Sequence, residues 1–466
     1  MKKRTTSETR SACRLARLAI TCCLLLSVSV ARAGRTTGTA PQLRMENVRL
    51  VPRDNKTAIV RFDISWEKSW RNDINHDAAW VFFKVRREGE TEWEHVRLAA
   101  DRVLNPTGYG QQGGTLVDLV VPDGEDGFTG MFVRRAELGA PGTLTARNVT
   151  ALWEFTANKG VTKDVKVRVK GFGIQMVYVA EGPFYLGSGG AEANGFYKYT
   201  DGSQSVLPYR VTGPVAIPTG GQEGKLWARQ TSHSELPDAR PEDGGQIPAS
   251  FPNGYNAFYC MKNWITDSQY AGFLSTLSAM QAKERYDPTG AHPSGRGPIA
   301  RSGEAPDYTY SRRGREEQTL WGLSWADGVA FAAWAGLRPM TELEWEKAMR
   351  GPREPRPDEV GPPYWGILPG AGWHWPLMHD GTGERAVTVG NAEGRRFAGT
   401  HGRGTPALPP DWPQEDAVGA GLRTVARTAA SARLSDRLYA AAVEPGRNRN
   451  CGQWRGVRTA PAEVGP

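Results

Sequence analysis

LSWADGVAFAAWAGLRPMTELEWEKAMRG, residues 323–351, carries the signals for two helices and their ends. In its second half Thr341 is placed to cap a helix, and Glu344 three residues later closes a capping box. Met340 and Trp345 flank that start at the spacing of a hydrophobic staple, and Gly351 falls where a C-terminal cap belongs. The first half predicts a shorter helix from Ser324 to about Ala335.

Upstream, ITDSQYAGFLSTL (265–277) repeats the device. Thr266 caps, Gln269 bonds back, Ile265 and Tyr270 form the staple, and Tyr270, Phe273, Leu274 and Leu277 make one apolar face. Around these helices the chain reads as turns, short strands and long loops, notably 285–318 and 351–372, with no internal repeat. The 466 residues include 55 Gly and 32 Pro, a usage that favours such loops over helix bundles. Residues 41–172 look all-β. TAIVRFDISW alternates Ala58, Val60, Phe62, Ile64 and Trp66 against Arg61, Asp63 and Ser65. Further strands are expected at 78–87, 115–122, 130–138, 149–155 and 165–172, together a sandwich of roughly immunoglobulin size. Asp73, His76 and Asp77 lie close in sequence and could suggest a metal site; a polar turn entering a strand is the preferred reading.

Residues 1–33 read as an export leader: a basic stretch to Arg17, the apolar run Leu18–Val30, then Ala31-Arg32-Ala33 before Gly34. About thirteen apolar residues are too few to span a bilayer, so no transmembrane span is expected after leader removal. The leader holds most of the positive charge. Without it the net charge falls from +8 to +2, which removes the case for nucleic-acid binding. Three of five cysteines leave as well, and Cys260 and Cys451 remain, either bridged or as separate thiols.

MVYVAEGPFYLGS (176–188), FYCMKNWITDSQYAGFL (258–274), the opening stretch and QWRGVRTA (453–460) together resemble the formylglycine-generating enzyme, or sulfatase-modifying factor, family. The resemblance implies a C-type-lectin-like fold over 173–466, and residues 41–172 resemble the β-domain preceding this module in some exported bacterial relatives. The expected class is α+β: a leader (1–33), an all-β sandwich (41–172), then a C-type-lectin-like domain with few helices and long loops.

The family's oxidases convert a sulfatase cysteine to formylglycine with copper held by two cysteines near the C-terminus. Soft thiolates select Cu(I), and this chain has no cysteine between Cys260 and Cys451, so copper is not expected. The resemblance also implies a calcium-associated loop. Alignment back from VTVGN places Asp380, Thr382 and Glu384 there, only Glu384 matching the family; a hard cation could use these oxygens, and a solvated glycine turn is the alternative. His374 and His379 match no zinc spacing. Among sixteen Trp, those at 325, 334 and 345 read as core, whereas the loop residues Trp373 and Trp375 are the candidates for ligand contact.

Three functional readings follow. The first is an exported, non-catalytic module, secreted, periplasmic or on the cell surface, that binds a protein, glycan or surface component. The second is an enzyme of altered chemistry in the same family, an oxidoreductase-type member. The third concerns GAGLRTVARTAASARLSDR (419–437): relatives read R-G-G-S-W or R-G-G-S-Y where this chain has Arg423-Thr424-Val425-Ala426-Arg427. Helix propensity favours a helix here, while the family's register places a strand. A two-base shift can turn codons for Thr-Val-Ala-Arg into Gly-Gly-Ser, so two compensating frame errors are an alternative to ordinary divergence.

Overall fold

The strand Val167–Val179 joins the two halves of the chain. In the computed structural model it lies between Asp77–Arg87 on one side and Phe258–Met261 on the other, antiparallel to both. The structure describes residues 43–100, 111–122, 128–200, 207–229, 240–241, 243, 245–289, 297–305, 307–314, 317–320, 322–359, 363–368, 383–414, 420–424, 433–437, 440, 447 and 453–466.

The strands that matter are, in chain order, β1 (Arg44–Pro52), β2 (Thr57–Arg71), β3 (Asp77–Arg87), β4 (Val117–Val120), β5 (Met131–Arg135), β6 (Gly139–Glu154), β7 (Val167–Val179), β8 (Phe258–Met261), β9 (Arg338–Pro339), β10 (Gly383–Val387), β11 (Ala420–Thr424) and β12 (Gly456–Thr459). One sheet runs β9-β12-β8-β7-β3-β5-β4, and a second runs β1-β2-β6 with the short strand Leu98–Ala99 at its edge. Residues Gly38–Pro466 make up one compact unit, and the boundary expected at 172/173 falls inside β7.

The burial pattern explains this arrangement. β2 alternates as its sequence requires: Val60, Phe62, Ile64 and Trp66 are buried, and the residues between them are partly exposed. β3 does not alternate, because both its faces are covered. Ala79, Val81, Phe83 and Val85 join a core with β2 and β6, while Ala78, Trp80 and Phe82 join the core beneath the helices. The described fold is thus β-rich α+β.

The helices begin where the capping chemistry places them. α1 (Asp267–Leu274) starts with Thr266 Oγ1 accepting from Gln269 N at 3.2 Å and Gln269 Oε1 accepting from Thr266 N at 3.1 Å. α2 (Ala279–Arg285) uses the same box at Ser278 and Gln281, a helix not expected from the sequence. α3 (Trp325–Ala335) is capped by Ser324 and ends on Gly336 at φ 72°. α4 (Glu342–Arg350) is capped by Thr341 with Glu344. It ends on Gly351 at φ 69°, where a Cβ would meet the Tyr364 ring at 2.4 Å. Among the described residues no helix is long and apolar enough to cross a membrane.

Candidate functional site

α4 is buried from end to end although its sequence, ELEWEKAMR, is mostly charged. Buried charges need partners, and each glutamate has one. Glu344 takes a bidentate pair from Arg338 at 2.8 and 2.6 Å. Glu342 takes another from Arg437 at 2.7 and 2.9 Å. Glu346 accepts from Arg350 Nη1 at 3.1 Å and from Gly187 N at 2.8 Å. Arg350 also donates to Ser435 Oγ at 2.7 Å, so the segment 433–437 is held against this helix from two sides.

One turn further, Trp345 points its indole N–H at Glu384 Oε2, 3.3 Å away, and Trp264 does so at 3.1 Å. Glu384 lies on β10 with no solvent exposure, and Arg455 Nε stands 2.9 Å from its other oxygen. Arg455 spends its remaining donors on the carbonyls of Met261, Lys262 and Leu368. Glu384, the described member of the expected calcium-associated loop, is therefore paired with an arginine and hydrogen-bonded by two indoles. A cation there would have to displace Arg455. Asp380 and Thr382 lie outside the described residues, as do Trp373, Trp375, His374, His379 and Cys451.

β11 pairs antiparallel with β10, Glu384 opposite Arg423 and Gly383 opposite Thr424. The stretch 419–437 therefore enters as a strand over Ala420–Thr424. Residues 425–432 lie outside the described residues.

Cys260 is in the middle of β8, opposite Val177 on one side and Val457 on the other. It packs with Met340, Trp345 and Val457, and burial pushes its thiol up to about 12. A thiol held this way is inert as a nucleophile or metal ligand. The turn at 72–77 is a structural one. Asn72 Oδ1 accepts from the N–H groups of Ile74 and Asn75. Asp77 accepts from Trp66, Ser69 and Gln175 at 2.9 to 3.0 Å, and His76 stacks on Tyr178. Among the described residues no three His, Cys, Asp or Glu side chains gather as metal ligands would. Trp365, Trp412 and Trp454, loop residues by sequence, are buried like Trp325, Trp334 and Trp345.

The arginine partners were not anticipated from the sequence. The signal that could have found them is ELEWE itself: three acids on a helix stapled into the core at both ends require cations from elsewhere.

Four capped helices, a terminal strand returned to the central sheet, and buried acid–arginine pairs define a loop-rich α+β module fused through β7 to a β-layer. Residues 162–365 match the family model of the sulfatase-modifying factor enzyme 1-like domain, and the chain carries a domain of that family. The match spans β7 to α4 and stops before β10, β11 and β12. No curated protein matches the chain.

Proposed function

We propose that this protein is an exported recognition module of the sulfatase-modifying factor family that does not oxidise cysteine. The observation that carries this reading is Cys260: of the two cysteines outside the leader, it is locked in the central sheet with its thiol raised to about 12. A copper site of two thiolates has no second partner between it and Cys451. The Arg455–Glu384 pair supports the same reading, since it occupies the carboxylate that calcium would need. Recognition of a protein, glycan or surface component then falls to the loop face, with Trp373 and Trp375 as its aromatic contacts, and the leader directs the chain to the periplasm, cell surface or medium.

The test is metal content and cysteine-peptide oxidation by purified protein, beside capture on glycan or cell-wall material. Substoichiometric copper, no aldehyde product, and capture lost in Trp373→Ala or Trp375→Ala are expected. Stoichiometric copper or any aldehyde product would overturn the reading in favour of an enzyme. Export is checked by the mass of the secreted protein, expected to begin near Gly34.

A further inference from the structure

β8 pairs with β7 only from Met176 to Val179 and leaves the sheet after Met261. Beside the part of β7 it does not cover lies a cavity of about 200 Å³, bounded by that strand, the first turn of α1 and the inner face of α3. The sequence builds it. Gly171 and Gly173 let β7 be approached closely: a Cβ on Gly173 would meet Leu43 Cδ2 at 2.4 Å, and one on Gly171 would meet Met45 Cε at 2.7 Å.

The walls are aromatic. Trp334 meets Phe172 and Phe82 edge to face, with centroids 4.9 and 5.0 Å apart, and Phe331 tilts against it at 5.5 Å. Two of the polar groups lining it, Gln175 and Glu317, offer acceptors. Gln175 is 5% exposed; its amide N–H donates to Asp77 at 3.0 Å, and its Oε1 accepts no hydrogen bond. Glu317, half-buried, takes one bond from Thr266 Oγ1, and among the described residues it has no ion-pair partner. Among the described residues Glu317 is also the one charged side chain lining the cavity.

An orphaned buried acceptor costs free energy until a donor reaches it. A lone carboxylate beside electron-rich ring faces favours a positive charge. From outside the cavity Lys84 Nζ lies 4.8 Å from the Trp334 centroid. The volume equals about six or seven waters at ~30 Å³ each, enough for one ring with a short arm.

We propose that this cavity binds a small primary ammonium with an apolar body, its N–H groups answering Gln175 Oε1 and Glu317 and its body lying against Phe172 and Trp334. The proposal stands or falls independently of the recognition reading.

The experiment is calorimetric titration of the full chain with phenethylammonium, with 3-phenylpropanol as the neutral control and 3-phenylpropionate as the anionic one. Saturable binding of the amine, at least about tenfold tighter than the alcohol, with none of the acid, is expected. Glu317→Gln keeps an acceptor for Thr266, so it should weaken the amine about tenfold without changing the melting temperature. Trp334→Phe should weaken amine and alcohol together. Equal affinity for amine and alcohol, no saturable binding of the amine, or an unchanged affinity in a folded Glu317→Gln variant would each overturn the proposal.

Discussion

Replacing Arg437 by Met should destabilise the protein out of proportion to its place outside any helix or strand. The guanidinium has no solvent exposure; besides both oxygens of Glu342 it reaches Asn194 O at 2.7 Å, and it lies 3.7 Å from the Phe196 ring centroid. Met keeps an apolar stem over Phe196 but removes the countercharge. Glu342 would keep the Thr388 hydroxyl at 3.0 Å and the Val389 N–H at 2.8 Å, neither of which carries a positive charge. Breaking a buried pair from one side costs about 3–5 kcal/mol. With an unfolding entropy of ~2.1 cal/mol/K per residue, a cooperative unit of this size loses roughly 4–5 °C of Tm for such a change. Thermal and urea unfolding, followed by tryptophan fluorescence, measure it. Glu342→Gln in the same background should recover at least about half the loss, because the lone buried charge is then gone. A single-variant loss below about 1 kcal/mol, or no coupling between the two sites, would refute the argument that 433–437 is pinned to α4.

Gly328→Ala places a Cβ 1.9 Å from Trp454 Cε2 in the middle of α3, against a ring that cannot withdraw. A loss of at least about 1–3 kcal/mol is expected despite the better helix propensity of Ala, and an unchanged melting temperature would show that the Trp454 ring yields. Burial lowers the Lys347 ammonium to about 7. Between about pH 7 and the ordinary lysine range the unfolded chain binds a proton that the folded one lacks. Stability should therefore rise with pH across that window, by up to ~1.4 kcal/mol per pH unit. Lys347→Met should flatten the rise in urea unfolding measured from pH 7 to 9.5; an equal slope in both proteins would assign it to other groups.

What the sequence revealed was mostly local chemistry. Thr266, Ser324 and Thr341 set their helix starts because a cap needs only its own next three residues. The box at Ser278 and Gln281 is written in the sequence in the same way. Strand pairing is not local. β3 and β7 each read as strands, but nothing in 165–172 says that β7 runs on to Val179 and takes Phe258–Met261 as a neighbour. The clue was in β3, whose AAWVFFKV carries no polar face and therefore had to be covered on both sides. The acid–arginine row was hidden for the same reason: Glu342 and Arg437 are ninety-five residues apart, and an ELEWEK helix read alone turns its acids to water.

These long-range pairs bear on the divergent stretch. Its first residues are held by the β10–β11 ladder, and its far end by Ser435 and Arg437 against α4. With both ends fixed, the entropy of closing the intervening segment grows only slowly with its length, so the residues between can change without releasing either anchor. The family's Gly-rich run is thus not needed to hold β11 or the RLSDR anchor in place. The coding DNA separates divergence from a frame error: codons for 424–427 that cannot yield Gly-Gly-Ser in either alternate frame would leave divergence between fixed anchors as the account.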